Sequence, residues 1–481
     1  MTSVLQRLHT TYQLFVILTV IALATPFLST AQDGQLIYKN YCAGCHGPNL
    51  EGSVSSALIK TTWKRGGDRP SIINTISHGI PGTEMAKWSS VLSAKEIEAV
   101  ANFIVKAQTS PISKQAEKPL TVKTKLYNLK IEKLIEQGLS GPWGFEFVDA
   151  NRALVTGKNG NLNWIVNSKL DTQPITGLPK IYANDNWGGL LDVAIDPAYS
   201  KNGWVYLAFS HNPKNSSDKM TPGMTKVIRG KINGHQWASE QTLFQAPDSV
   251  MIGGGTRWGC RFLFDKEGYL YFTIGDMDHG EDSQVLTRPN GKIYRINSDG
   301  SIPKNNPLVG NDKYLQAIYS WGNRNAQGIA QHPVTGVIYA SEHGPKGGDE
   351  LNIIRTGGNY GWPVVTFGIG YDDKIISKDT HKEGMEQPIT YWTPSIAVSA
   401  IEFVTGPKFP KWENNLIVTA LAFEEVRRLV IDGDHVKEQE ILLKGYGRVR
   451  DVKIGPDGSL YILTNTPDAL LRVTPDNARI K

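Results

Sequence analysis

The stretch Tyr41-Cys42-Ala43-Gly44-Cys45-His46-Gly47 sets two thiols on one short turn, with an imidazole directly after the second. That order suits a covalent haem: Cys42 and Cys45 add to its vinyl groups, and His46 reaches the iron axially. A redox dithiol or half a zinc site would use the same pair. The immediate histidine and the presence of only three cysteines in the chain argue against both. Cys260 is then left without an intramolecular partner, and structural disulfides are not expected. A second group lies far downstream. Asn323, Arg324, Asn325 and Gln327 crowd four hydrogen-bonding side chains together. Such a set suits an anionic, polar ligand, since arginine makes a two-pronged bond to carboxylate, although the same residues also serve in surface turns. In "SEHGPKGGDELNII" the carbonyls of Gly344 and Pro345 could turn towards a hard cation such as calcium, with Asp349 and Glu350 adding carboxylates or capping a turn. Arg448 and Arg450, two apart, share one face of a strand and meet either ligand or solvent.

These residues need elements to hold them. Ahead of the Cys-x-x-Cys-His motif, a helix from Asp33 to Tyr41 is expected to bury Leu36, Ile37 and Tyr41 on one face. After it, "SAKEIEAVANFIVKAQ" opens with Ser93 and Glu96 as a capping box, and Ile97, Val100, Ala101 and Ile104 form an apolar face. Between them "GIPGTEMAKW" offers Met85 as sixth iron ligand, with His78 as competitor. The stretch resembles the methionine loop of small class I cytochromes c, and such a ligand raises the potential and keeps out exogenous ligands. Residues 32–107 are therefore expected to form a small all-α cytochrome c domain carrying haem c. The preceding residues 1–31, with Arg7 before an apolar run, resemble an export signal cleaved after Ala31, which predicts a periplasmic or otherwise exported protein. Membrane association would follow only if that leader were retained. Residues 108–130, rich in lysine, proline and small polar side chains, are expected to be a linker.

From 131 to 481 the pattern changes to short β-type runs. "GWVYLAFS", "GYLYFTIGD", "GVIYASEHG" and "GSLYILTN" align on Tyr206, Tyr271, Tyr339 and Tyr461, and weaker copies fall at Leu154 and Val418. Six copies spaced roughly 40–80 residues apart predict an all-β six-bladed β-propeller, whose ligand sits at one mouth of the central channel. Forty-eight glycines, 26 prolines and 12 tryptophans fit such turn-rich architecture. The formal charge of +5 is spread without a basic run, so nucleic acid is not an expected partner.

The blocks "GGLLDVAIDP", "GNRNAQGIAQHPVTGVIYASEHGPKGGDELN", "GGNYGWP", "PSIAVSAIEFVTG" and "GRVRDVKIGPDGSLYILT" resemble, in order, those of the soluble glucose/sorbosone (aldose sugar) dehydrogenases. The resemblance implies a six-bladed propeller that uses pyrroloquinoline quinone (PQQ), and a fused cytochrome c is a known arrangement in that family. It places Arg324, Asn325, Gln327, Arg448 and Arg450 at cofactor-binding positions and the carbonyls of Gly344 and Pro345 on a Ca²⁺ bound to the cofactor. Arg324 would also stabilise charge growing on the quinone oxygen, which makes it the expected catalytic residue. The implied partners are a sugar or polyol substrate and an external electron acceptor. Three positions depart from the family pattern: Arg257 replaces the base histidine, Trp187 a glutamine and Ala422 a lysine. Arginine stays protonated at any working pH, so another group must take the substrate's proton; His279, His343, Asp185 and Asp192 are near presumed mouth loops. Two other readings of the propeller are a glycan- or partner-binding module and a calcium-dependent lactone hydrolase. A hydrolase would leave the haem without electrons to carry.

Overall fold

The computed structural model describes residues 34–47, 50, 52, 55–59, 63–80, 85–109, 118–183, 188–214 and 220–476. The leader, Asp185 and Trp187 lie outside them. The N-terminal part is helical, with helices Gly34–Tyr41, Ala43–His46, Arg69–His78 and Ala94–Thr109. The capping box forms: the Ser93 N–H donates to Glu96 Oε2 at 2.7 Å and the Glu96 N–H to Ser93 Oγ at 3.3 Å. Ile97, Val100, Ala101 and Ile104 are all buried, as their spacing predicts. The first helix is rotated from the expectation, because Leu36 is exposed while Tyr38 is buried beside Ile37. The reason is a close crossing at Gly34, where a Cβ would meet the Ala99 carbonyl oxygen at 2.0 Å. That contact turns positions 34, 37, 38 and 41 inward, and the Tyr38 ring lies 5.3 Å from Phe103.

The rest is a six-bladed β-propeller. Six antiparallel sheets surround a channel, and the inner strands Pro142–Phe147, Leu190–Ile195, Phe262–Phe264, Ala326–Gln331, Val398–Phe403 and Arg448–Ile454 touch one another in a closed ring. Every one of the six aligned sequence positions falls on the second strand of its sheet. Leu154, Tyr206, Tyr271, Tyr339, Val418 and Tyr461 are all buried there, packed into clusters between neighbouring blades. The repeat is thus the inter-blade core written once per blade.

The last sheet corrects the expected linker boundary. Its order joins the C-terminal strands Arg448–Ile454, Leu460–Asn465 and Ala469–Pro475 to Asn128–Ile135 and then Thr121–Lys123. The sheet therefore begins at Thr121, inside the 108–130 stretch read as linker. Alternation there is short and lysine-rich, so the signal of an edge strand is masked. Leu129, Ile131 and Ile135 are buried by this pairing.

At the channel itself the pleat is interrupted. The pairing of inner with second strand shifts register between Pro142 and Phe145, Leu190 and Asp192, Ala326 and Gly328, Val398 and Ile401, and Val449 and Asp451. A bulge re-aims the residue it contains. Trp143, Gln327 and Arg450 lie in these bulges, and they are the residues that meet at the mouth.

Candidate functional site

Arg324, almost fully buried, follows the strand Ile318–Trp321 and is clamped from its own backbone outward. Its N–H donates to Glu342 Oε1, while Asn323 Nδ2 donates to Glu342 Oε2 at 2.7 Å. Burial pushes the Glu342 carboxyl up to about 7, against the pull of these donors. Arg324 Nη1 donates to the carbonyls of Gly344, at 2.7 Å, and His343, at 3.1 Å. Its Nε is buried without a partner, and its guanidinium lies 5.5 Å from the Trp362 ring and 6.0 Å from Tyr371.

From Arg324 the polar set runs on across the mouth. Asn325 Oδ1 accepts from the Gly259 N–H and from Gln327 Nε2, both at 3.3 Å, and Gln327 Oε1 accepts from Arg450 Nη1 at 3.4 Å. Arg450 stacks over Trp143 at 4.0 Å. Burial, then Arg448 and Arg261, press its guanidinium well below the usual arginine range. No carboxylate pairs with Arg450 among the described residues. The tertiary structure therefore gathers Arg324, Asn325, Gln327, Arg448 and Arg450, and adds Trp143, which the sequence had not marked. Gly344 and Pro345 join through the Gly344 carbonyl. Asp349 sets the turn: it accepts from the Gly344 N–H at 2.8 Å, Ser395 Oγ at 2.7 Å and the Val398 N–H at 3.2 Å. Glu350 accepts from Asn352 Nδ2 at 3.0 Å. Among the described residues no three His, Cys, Asp or Glu side chains are grouped as metal ligands.

Arg257 sits on the same rim, tied to two carboxylates. Nε donates to Asp276 Oδ1 at 2.6 Å, Nη2 to Asp276 Oδ2 at 3.3 Å, and Nη1 pairs with Asp278 at 2.6 Å. Asp276 is fully buried and also accepts from Trp362 Nε1 at 2.8 Å. Burial works against the Arg257 charge, but Asp276 outweighs it and holds the guanidinium above its ordinary value. The candidate proton acceptors separate. Asp192 lies inside the channel, where Arg261 Nη1 meets it at 3.2 Å and Asp451 at 3.3 Å, so it is a structural carboxylate. His279 is exposed. His343 belongs to the site: its Nε2 is buried without a partner, and burial, then Arg324 and Arg450, hold the ring down to about 3 and thus neutral. Asp276 and Trp362 do not stand out in the sequence, because neither is special in type. The signal was positional, a Gly-Asp at the end of a buried strand.

In the helical part, Cys42 precedes the helix Ala43–His46, which contains Cys45. His46 Nδ1 is 2.9 Å from the Ser56 carbonyl, to which it can donate, leaving Nε2 as the nitrogen able to bind iron. Met85 is partly buried against the core that contains Cys42, Leu50 and Leu92, whereas His78 is exposed with Nδ1 3.0 Å from the Asn74 carbonyl of its own helix.

A family model described as Glucose / Sorbosone dehydrogenase matches residues 139–472, the whole ring apart from its closing strands. The chain belongs to the glucose/sorbosone dehydrogenase family. A model for the cbb3-type cytochrome c oxidase subunit III matches residues 29–104, so this family member carries a cytochrome c domain ahead of its propeller. The aldose sugar dehydrogenase YliI of Escherichia coli (strain K12) is 35% identical over 351 residues, covering 72% of this chain and 92% of that protein. A solved glucose dehydrogenase is 35% identical with a TM-score of 0.67, over 71% of this chain and 99% of that one. The PQQ-bound aldose sugar dehydrogenase of Streptomyces coelicolor is 25% identical with a TM-score of 0.57, over 72% of this chain and 98% of its own.

Proposed function

We propose that this glucose/sorbosone dehydrogenase family member is an exported quinohaemoprotein that oxidises a sugar or sugar-like hydroxyl, holding PQQ with Ca²⁺ at the propeller mouth and haem c at Cys42, Cys45, His46 and Met85. The carrying observation is Arg450: a cation at the mouth, beside Arg448 and Arg261, with no carboxylate bonded to it among the described residues. A cofactor with three carboxylates supplies the missing counter-charge, and the orphaned Arg324 Nε fits the same need. When bound, PQQ supplies a quinone that accepts hydride from the sugar carbon, and haem c an iron that accepts electrons one at a time.

The chain's own residues then divide the work. Arg448 and Arg450 would hold carboxylates, while Gln327, itself bonded to Asn325, accepts from the guanidinium of Arg450 on the channel side. Arg324, bonded to the Gly344 carbonyl that would face the cation, would stabilise the oxygen that gains negative charge. Arg257 cannot take the hydroxyl proton; bound to Asp276 and Asp278, it contributes a fixed positive charge on the rim. This substitution favours one second reading, a propeller that binds its ligand without turning it over.

Purified protein reconstituted with Ca²⁺ and PQQ and offered a panel of aldoses and polyols should show reduction of the haem band with at least one of them. PQQ binding without any reduction would support the binding module, and neither binding nor reduction would overturn the PQQ reading altogether. Arg257→His gives a sharper check. Asp276 already stands where it would orient an imidazole, so this variant should raise sugar-dependent haem reduction by about tenfold or more.

A further inference from the structure

Among the described residues the haem part and the linker that follows it meet the propeller at two points on the rim of the mouth. At the first, Lys346, one residue beyond Pro345, donates through Nζ to the Lys87 carbonyl at 3.1 Å and to Ser90 Oγ at 3.0 Å, and forms an ion pair with Asp373. Ser90 Oγ also lies 3.4 Å from Asp373 Oδ1. Lys87 and Ser90 lie two and five residues beyond Met85, whose carbonyl accepts from the Ile80 N–H at 2.8 Å. Asp373 follows Tyr371, whose ring faces Arg324. At the second point, the Lys39 ammonium of the first helix and that of Lys118 both lie against Gly445, where a Cβ would meet each at 2.7 Å. Tyr446 OH donates to the Pro119 carbonyl at 2.6 Å, so the end of the linker is pinned beside Arg448.

We infer that the haem domain is seated across the propeller mouth with Met85–Ser90 as its electron port, and that Lys346 is the positioning residue that holds this port against the rim. The two rim contacts flank the cofactor-binding positions, one beside Pro345 and one beside Arg448. The Lys346–Asp373 pair is mostly shielded, with 14% and 22% of the side chains exposed, so solvent screens it less than a surface pair. Lys346 joins the two domains through its side chain alone, while its backbone stays paired with Ile369 at 2.9 and 3.2 Å. The inference rests on the proposed function for its redox content. Each hydroxyl oxidised to a carbonyl releases two electrons and two protons. The electrons leave through the haem iron singly, Fe(III) to Fe(II) twice, with an external one-electron carrier reoxidising the iron between them, and the protons pass to solvent.

The test uses the full-length protein loaded with haem, Ca²⁺ and PQQ. Lys346→Gln should slow sugar-driven haem reduction by about tenfold in stopped flow, while turnover with a small dye that draws electrons at the mouth stays within about twofold. Lys346→Arg should restore haem reduction. Hydrogen exchange over 85–91 and 369–374 should quicken in Lys346→Gln. Unchanged haem reduction with unchanged exchange overturns the inference, and so does an equal fall in haem and dye turnover, which would place Lys346 in the site rather than at the port. If no sugar reduces the wild-type haem, the functional reading fails separately and exchange alone decides the docking: protection of 85–91 that Lys346→Gln leaves unaltered overturns it.

Discussion

Arg450 stands beside Arg448 and Arg261, and among the described residues only Asn465, at 3.3 Å, and Gln327, at 3.4 Å, accept from its side chain. A cation in such surroundings costs the apo-protein stability and returns it when an anion arrives. Arg450→Gln should therefore weaken PQQ binding by roughly 10–100-fold, as loss of a charge-assisted contact predicts, without lowering the thermal stability of the apo-protein. Cofactor titration and thermal unfolding, run side by side, check the two halves. Arg257 is the opposite case. It is fully compensated by Asp276 and Asp278, which is why a ligand carboxylate gains little from it and why its exchange for histidine is informative.

The inner strands act as elements through their bulges and through one residue that ties them together. Arg261 lies across the channel, donating to the Gln327 carbonyl at 2.9 Å, the Trp143 carbonyl at 3.3 Å and the Arg450 carbonyl at 2.5 Å while pairing with Asp192 and Asp451. Those two carboxylates in turn accept from the Phe262 and Phe145 N–H groups at 2.8 and 2.9 Å. Five of the six inner strands are thereby fixed relative to one another just beneath the site. Arg261→Met should leave two buried carboxylates without their cation and cost about 3–5 kcal/mol, read from the shift of a denaturant-unfolding midpoint. Close packing adds to the constraint at Gly144, where a Cβ would meet Asp192 Oδ1 at 2.4 Å.

At the scale of the molecule, the ring is closed by the segment that follows the linker. Burial of Leu129, Ile131 and Ile135 contributes roughly 5–9 kcal/mol to that closure as an upper bound. A chain starting at Lys118 should unfold cooperatively at close to the full-length temperature. One starting at Gly138 loses the closing strands and should melt lower by about 10 °C or more, which differential scanning calorimetry would show.

The amino-acid sequence by itself determined the haem motif, the capping box, the apolar face of the last helix, the six-fold repeat and the cluster from Asn323 to Gln327. All of these are local: adjacent residues or fixed periods carry them, and neighbours in space are not needed to see them. Leu36 and Tyr38 mark where local pattern stops, because a close helix crossing at Gly34 chose the face. Only the tertiary structure decided that Arg450 has no carboxylate bonded to it among the described residues, that Asp192 serves the channel rather than the mouth, and that Asp276 holds Arg257. Each of these depends on groups brought together from separate blades, and five register shifts break the alternation from which facing could be read. The seat of the haem domain at Lys346 belongs to the same class, since residues 87 and 346 meet only when the ring has closed.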